Sequence, residues 1–369
     1  MSTFPDALTL PPSIVSGSGC VTRVPAACAA FGARGLLVHG RSVASSRMLQ
    51  RILSSAPPGM RVETWQHPGD EPALDQLAEL LTAARRMDVS WIAGVGGGST
   101  LDLAKACAGL LRAPLSPVDY HNGAALPASE TPFVAAPTTA GTGTEATFVC
   151  VLTNRDGGVK KSFRHPTLMP RIVFLDPDLL LGCPPPVIAS SGMDAFTQAF
   201  ESFLSKGATA VTDDLALRAL AGVLEDLDPV YRGSSGDSAL RLLQASCLAG
   251  MALCNARLGL VHGLAHPLGA FHHAPHGLVC AACLPEVIEF NRPACQAKYG
   301  IFRHRFGADP AEISGRLLAS LSIRSPFAGR PRPDTGQIVM ETLASGSTAS
   351  NPRPVSAADV EAILTRLYA

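Results

Sequence analysis

The chain changes character at Pro184-Pro185-Pro186, and that break constrains its fold more than any other feature. Before it, short apolar runs alternate with helical patterns. Gly35-Leu36-Leu37-Val38-His39 is strand-like and ends at Gly40, and Pro72 to Arg86 sets Leu74, Leu77, Leu80 and Leu81 at helical spacing. Trp91-Ile92-Ala93 then enters a run of glycines, and Leu101 to Leu111 is helical again. Phe133-Val134-Ala135-Ala136 and Ile172-Val173-Phe174-Leu175 add two further strands. Strands separated by helices are joined by crossovers, and crossovers build a parallel sheet. After the prolines the patterns are long and helical, as in Asp213 to Leu227 and Ser238 to Ala256, with no convincing strand.

The expected architecture is therefore an α/β N-terminal domain over residues 1–183 and an all-α C-terminal domain over residues 184–369. Residues Arg324 to Pro354, rich in Pro, Gly, Ser and Arg, predict an irregular surface segment. Ser356 is placed to cap a last helix reaching Tyr368, with Val360, Ile363, Leu364 and Leu367 as its apolar face.

Composition removes several alternatives. Hydrophobic residues make up 47% and charged residues 16% of the 369, a balance that favours burial and argues against disorder. Thirty basic and thirty acidic residues cancel, which gives no electrostatic platform for nucleic acid or an anionic membrane. The first residues lack the basic and apolar regions of a signal peptide. No uninterrupted apolar stretch approaches the roughly 18 residues of a membrane span. The most apolar stretch, Ala245 to Leu284, is broken by Asn255, Arg257 and five histidines and reads as a buried helix pair. Ten scattered cysteines predict reduced thiols in the cytoplasm. Cys280 and Cys283 form the one close pair; without a second pair for a zinc ribbon, they read as small apolar side chains on a helix.

Two loops carry the chemistry of a phosphate site. In Gly94-Val95-Gly96-Gly97-Gly98-Ser99 a strand ends in glycines just before a helix opens with Leu101-Asp102-Leu103-Ala104-Lys105. Glycines let a phosphate approach the amides, and the helix N-terminus adds the positive end of its dipole. Pro137-Thr138-Thr139-Ala140-Gly141-Thr142-Gly143-Thr144-Glu145 offers hydroxyls and glycines after the next strand. Such threonines often do no more than satisfy a turn. Two such loops at neighbouring strand ends point instead to a dinucleotide at the carboxyl edge of the sheet.

Five of the ten histidines fall between positions 262 and 276. His262 and His266 are four apart and share a helix face, and His276 can return to that face after the turn near Gly269. Asp194 and Gln198 put a carboxylate and an amide four apart on an apolar helix. A carboxylate with imidazoles suits a divalent metal acting as Lewis acid on a carbonyl or alkoxide. His272 and His273 read as ordinary packing or surface residues.

These segments resemble the iron-containing (group III) alcohol dehydrogenases of the dehydroquinate synthase-like superfamily. The resemblance runs through Gly96 to Ser99 with Asp102 and Lys105, Pro137 to Glu145, Asp176-Pro177 and Gly192-Met193-Asp194-Ala195. It is most specific in His262-Gly263-Leu264-Ala265-His266-Pro267-Leu268-Gly269-Ala270 and Pro275-His276-Gly277. It implies a Rossmann-like dinucleotide-binding domain followed by a helical domain, with cofactor and metal in the cleft between. By position it implies metal ligation by Asp194, His262 and His276, with His266 near the nicotinamide as a proton relay. It also implies cofactor contacts from Gly97, Gly98, Ser99, Asp102, Thr138, Thr139, Thr142 and Lys160, and assembly as a homodimer or larger.

The chain departs from the family pattern twice. Gln198 stands where the fourth metal ligand is usually histidine, and an amide oxygen is a weaker donor to Fe2+ or Zn2+. After the first strand, Gly40 and Arg41 replace the aspartate that NAD-preferring members often carry. Losing that carboxylate relieves repulsion of a 2′-phosphate and Arg41 can pair with it, which predicts NADPH use at least equal to NADH. The expected activity is hydride transfer between NAD(P)H and a small aldehyde or primary alcohol, probed through pocket positions such as Phe148, Cys150, Arg164, His165, Cys254 and Arg257. Arg164 or Arg257 would suit an anionic aldehyde. The rivals are a metal-independent reductase of a carbonyl acid, as in maleylacetate reductases, and a cyclase resembling dehydroquinate synthase. Basic residues of the helical half such as Lys206, Arg218 and Arg257 are scattered rather than gathered into a pocket, which speaks against the cyclase.

Overall fold

Among the described residues, eight strands fall in the first half of the chain: β1 (Ile14–Ser16), β2 (Arg34–His39), β3 (Arg61–Gln66), β4 (Trp91–Gly96), β5 (Phe133–Pro137), β6 (Val149–Asn154), β7 (Val159–Arg164) and β8 (Ile172–Leu175). The structure is a computed structural model and describes residues 2–156, 159–332 and 334–369. Six strands form one sheet in the order β1-β8-β5-β4-β2-β3, and every pairing in it is parallel. Strands β4 and β5 are buried at every residue, which is why they read as unbroken apolar runs rather than alternating ones. Strands β6 and β7 form a separate antiparallel hairpin.

The sheet has a reversal that matters for function. β2 pairs with β3 on one side and with β4 on the other. The chain therefore runs outward from β2 to β3, then crosses back over β2 to reach β4. In an open parallel sheet, the crevice beyond the carboxyl ends at such a reversal is where a ligand sits. Gly40 leaves β2 there and Gly97 leaves β4.

The helix expected from Leu101 begins earlier, as Gly98–Leu110, because Gly97 is extended and serves as its N-cap. Helix Leu74–Met87 falls within a residue or two of expectation, and its buried face carries Leu74, Leu77, Leu80 and Leu81. β1 and β3 do not stand out in the sequence. β1 has three residues, and β3 lies at the sheet edge with only Val62 and Trp65 as apolar side chains.

From Pro185 onward the described residues form helices and no strand. Pro185 and Pro186 occupy the first turn of helix Pro185–Leu204, where a missing N–H has no helical acceptor to lose. Helix Ala210–Tyr231 is longer than the expected Asp213 to Leu227, with Thr209 capping its start. Helix Asp237–Ala256 is long and apolar enough to cross a membrane by composition, yet it packs against the two preceding helices as a core element. Phe200 lies at the centre of this core, with its ring 6.3 Å from Phe196, 5.9 Å from Tyr299 and 5.6 Å from Phe302. Full burial of a side chain of this size stabilises by about 1.5–3 kcal/mol.

Two expectations need correction. The apolar stretch from Ala245 to Leu284 is divided among three helices, Asp237–Ala256, Leu260–His272 and His276–Asn291, rather than two. Arg257 at φ 70° and His273 at φ 50° make the two turns that separate them. The stretch from Arg324 to Pro354 is not wholly irregular: Gly336–Ala344 and Gly346–Ala349 are helical, and Ile338, Val339 and Thr342 are buried. Helix Gly336–Ala344 buries only three side chains, two of them apolar, which is too weak a period to detect. The last helix, Ala357–Leu367, begins as expected with Ser356 and Asp359 in a capping box.

Candidate functional site

The two loops at the carboxyl edge of the sheet pack directly on one another. Gly96 and Pro137 are register partners at the ends of β4 and β5, and Thr138 N donates to Gly96 O at 2.9 Å. A Cβ added at Gly98 would lie 2.6 Å from Thr142 Cγ2, and one at Gly97 would lie 3.6 Å from the Thr139 side chain. The structure thus brings Gly97, Gly98, Ser99, Thr138, Thr139 and Thr142 to one rim. Gly40 joins them, since its Cβ would lie 3.7 Å from Gly96 Cα.

Lys105 and Asp102 fasten this rim from below. Lys105 is fully buried, and its ammonium donates to Thr144 O (2.6 Å), Thr144 Oγ1 (2.9 Å), Thr147 O (2.8 Å) and Val149 O (2.7 Å). Asp102 accepts from Thr144 Oγ1 at 2.5 Å and from Val151 N at 3.0 Å. Both its oxygens are therefore engaged with the threonine loop and the hairpin. Beneath the same loop lies Glu145, buried with Oε1 unpartnered, whose carboxyl burial pushes up to about 7.

Arg41 opens a one-turn helix after Gly40 and lies across Gly69, whose Cβ would meet Arg41 Nε at 2.9 Å. Among the described residues Arg41 forms no ion pair, so its guanidinium is open at the β2 end of the crevice. Lys160, on the hairpin, pairs with Glu71 at 2.8 Å.

The histidine and carboxylate cluster lies on three helices. Pro185–Leu204 carries Asp194, Gln198 and Glu201, Leu260–His272 carries His262 and His266, and His276–Asn291 carries His276 and Cys280. His262 Nε2 is 3.3 Å from Asp194 Oδ1, and His276 Nε2 is 3.8 Å from the same oxygen. Cys280 Sγ lies 3.6 Å from His276 Nε2. One donor atom from each of Asp194, His262, His276 and Cys280 lies within 4.8 Å of all the others.

Glu201 orients the cluster. Its Oε2 is 2.6 Å from His262 Nδ1, and its Oε1 accepts from Val261 N at 2.6 Å. A carboxylate on Nδ1 fixes that nitrogen as the protonated one and leaves the Nε2 lone pair facing Asp194. Histidines that ligate metals are held by this kind of partner.

The electrostatics have the same sense. Burial raises the Asp194 carboxyl, but the His262 hydrogen bond, the His276 charge and the Gln198 amide outweigh it and hold it below its ordinary value. Burial lowers His262 and His276, yet the Cys280 sulfur and Asp194 hold both above the ordinary imidazole value, with Glu201 adding to the effect on His262. Positive charge is thus favoured at the centre of this group, where a divalent cation would take the place of the imidazole protons. Gln198 Oε1 is buried beside this group with no hydrogen-bond partner. The donor chemistry and the unpartnered oxygen both fit a divalent cation.

His266 differs from its neighbours. Its ring stacks on His276 at 5.2 Å, and burial, followed by the charges of His276, His262, Lys160 and Arg164, lowers it well below the ordinary value. It is therefore a neutral imidazole. His272 bonds the Tyr368 hydroxyl and packs against Phe327, in keeping with a packing role. The two halves of the site meet where a Cβ at Gly141 would lie 2.6 Å from Ser191 Cβ, one turn before Asp194.

Two residues escape the sequence reading. Glu201 lies seven residues after Asp194, two helical turns along the same face, and that spacing is a signal available in the sequence. Cys280, read as a packing residue, presents its sulfur to the donor cluster, while Cys283 is buried in the core. His276 and Cys280 at i, i+4 repeat the spacing of His262 and His266.

Comparison with known proteins shows the family and the fold. The family described as iron-containing alcohol dehydrogenase matches residues 11–177, and its C-terminal family matches residues 188–368. The probable alcohol dehydrogenase EutG of Escherichia coli (strain K12) is 36% identical over 360 residues, 94% of this chain and 91% of that protein. The iron-containing alcohol dehydrogenase of Thermococcus thioreducens superposes with a TM-score of 0.90 at 26% identity, covering 98% of this chain and 99% of that one. Sulfoacetaldehyde reductase from Bifidobacterium kashiwanohense, solved in complex with NAD+, superposes with a TM-score of 0.92 at 25% identity, covering 100% and 99%.

Proposed function

The chain belongs to the iron-containing alcohol dehydrogenase family, and on that premise we propose that it transfers hydride between NAD(P)H and a small aldehyde or primary alcohol with the help of a divalent cation. The observation that carries this reading is the contact between Gly141 of the threonine loop and Ser191 of the helix bearing Asp194. It puts the cofactor rim one helical turn from the donor cluster.

When bound, a nicotinamide supplies the hydride and a divalent cation supplies Lewis acidity to a carbonyl or alkoxide oxygen. The chain's own residues do the rest. Gly97, Gly98 and Ser99 present the start of helix Gly98–Leu110 to the pyrophosphate, and Thr138, Thr139 and Thr142 offer hydroxyls from the facing loop. Gly40 leaves room at the ribose, and Arg41 is placed for a 2′-phosphate. Asp194, His262 and His276 hold the cation, with Glu201 fixing the tautomer of His262. His266, kept neutral by burial and surrounding positive charge, exchanges a proton with the alcohol oxygen at its ring nitrogen. Lys160, paired with Glu71, and Arg164 contribute positive charge that acts on His266, and the Arg164 charge favours an aldehyde bearing an anionic group.

Free thiols at all ten cysteines fit a reducing compartment, the cytoplasm. Consumption of NADPH with a panel of neutral and anionic aldehydes tests the reading. Turnover should fall at least about 100-fold in His266→Ala, the range of a lost general acid–base group. Unchanged turnover in that variant would remove His266 from the proton path.

A further inference from the structure

Two side chains compete for the fourth position around the cation. Gln198 occupies it by sequence position, on the same helix face as Asp194. Cys280 reaches it from the other side, one turn after His276. A tetrahedral site with bonds of about 2.0–2.3 Å sets neighbouring donors about 3.3–3.8 Å apart. The observed separations are 3.3 Å for His262 Nε2 to Asp194 Oδ1, 3.8 Å for His276 Nε2 to Asp194 Oδ1 and 3.6 Å for Cys280 Sγ to His276 Nε2. The 3.3 Å and 3.6 Å separations match nitrogen–oxygen and nitrogen–sulfur edges of such a site, the 3.8 Å one is slightly longer, and all four donors, from three different helices, lie within 4.8 Å of one another. Gln198 lowers the Asp194 carboxyl, and its buried, unpartnered Oε1 makes it the rival donor, a harder and weaker one than the Cys280 sulfur.

We propose that Cys280 is the fourth ligand, so that this chain holds its cation through Asp194, His262, His276 and the Cys280 sulfur, a donor set that selects zinc over iron. The inference rests on the metal-assisted reading above and deepens it. A thiolate is a stronger and softer donor than an amide oxygen, and zinc favours mixed sulfur, nitrogen and oxygen sets. On binding, the Cys280 S–H bond breaks, its proton leaves to solvent, and the sulfur lone pair forms the bond to the cation. No electrons change hands. The exchange of a helix Pro185–Leu204 ligand for one on helix His276–Asn291 compensates for Gln198, where the family usually has histidine.

Cobalt(II) is the probe. The full chain is stripped by chelation, loaded with Co2+ and its absorption recorded alongside its cobalt content. The wild type is expected to show a sulfur-to-cobalt charge-transfer band in the near ultraviolet. Cys280→Ser and Cys280→Ala should lose that band, and Gln198→Ala should keep it. Zinc retention against a chelator should weaken in Cys280→Ser by more than the roughly 10–100-fold that loss of an outer-shell partner costs. Should Cys280→Ala fail to fold, the near-isosteric serine variant and the wild-type spectrum still decide. Cobalt uptake without the band, or a band that persists in Cys280→Ser, overturns the assignment and leaves the metal-assisted reading standing. No cobalt uptake by the wild type overturns both.

Discussion

Glu201→Gln isolates the tautomer of His262 from everything else the carboxylate does. In the native site, Oε1 accepts from Val261 N at 2.6 Å and Oε2 accepts a hydrogen bond from His262 Nδ1–H at 2.6 Å. Glutamine has the same shape and can keep its oxygen on Val261 N. Its amide must then donate to His262 Nδ1, which moves the imidazole proton to Nε2, the nitrogen facing Asp194. The start of helix Leu260–His272 therefore stays capped while the ligating lone pair is lost. Outer-shell substitutions of this kind weaken metal binding by roughly 10–100-fold, about 1.4–2.7 kcal/mol. The assay is competition of the loaded protein against a chelator of known affinity, with urea unfolding of the metal-free protein in parallel. Affinity should fall within that range while the metal-free midpoint barely moves. Metal affinity within twofold of wild type would refute the claim that Glu201 sets the tautomer.

Gly98→Ala places a Cβ 2.6 Å from Thr142 Cγ2 and must push the two cofactor loops apart. It should cost about 1–3 kcal/mol in chemical denaturation and raise the KM for NADPH more than it lowers kcat. Arg41→Ala should lower kcat/KM with NADPH by roughly tenfold or more, the loss of one charge-assisted contact, and leave NADH unchanged; equal losses with both would assign Arg41 no role at the 2′-phosphate. Glu145 gives a pH signature. Its folded value is raised to about 7 from 4.5, so the folded protein holds this proton more tightly, and stability falls as pH rises through that window. Glu145→Gln should therefore match wild type near pH 4.5 and exceed it above pH 7 by up to about 3 kcal/mol, read by urea unfolding.

The elements that were legible in the sequence are those whose environment is uniform. β4 and β5 are buried on both faces and therefore apolar throughout, and their closing glycines and threonines announce the loops. β3 escaped because an edge strand with Arg61, Glu63 and Gln66 has no apolar period. The β6–β7 hairpin escaped because β7, Val159–Arg164, carries two lysines and an arginine. At the site, Asp194, His262, His266 and His276 were visible through residue type and helical spacing. Glu201 and Cys280 were not, since each acts through a partner on another helix. A glutamate on an apolar helix and a cysteine before an alanine pair acquire chemical meaning only when Leu260–His272 and His276–Asn291 fold back against Pro185–Leu204. Asp102, whose cofactor contact is implied by the family resemblance, has its oxygens on Thr144 and Val151.

Everything proposed for the cleft depends on a cation held by Asp194, His262 and His276 beside a nicotinamide. The most direct test is the rate of aldehyde-dependent NADPH oxidation as a function of bound metal, titrated from fully chelated to saturated protein. Cation-assisted hydride transfer requires a rate that rises in proportion to metal content and reaches its plateau at one ion per chain. Full turnover by the chelated protein would contradict it and place the chain with metal-independent reductases.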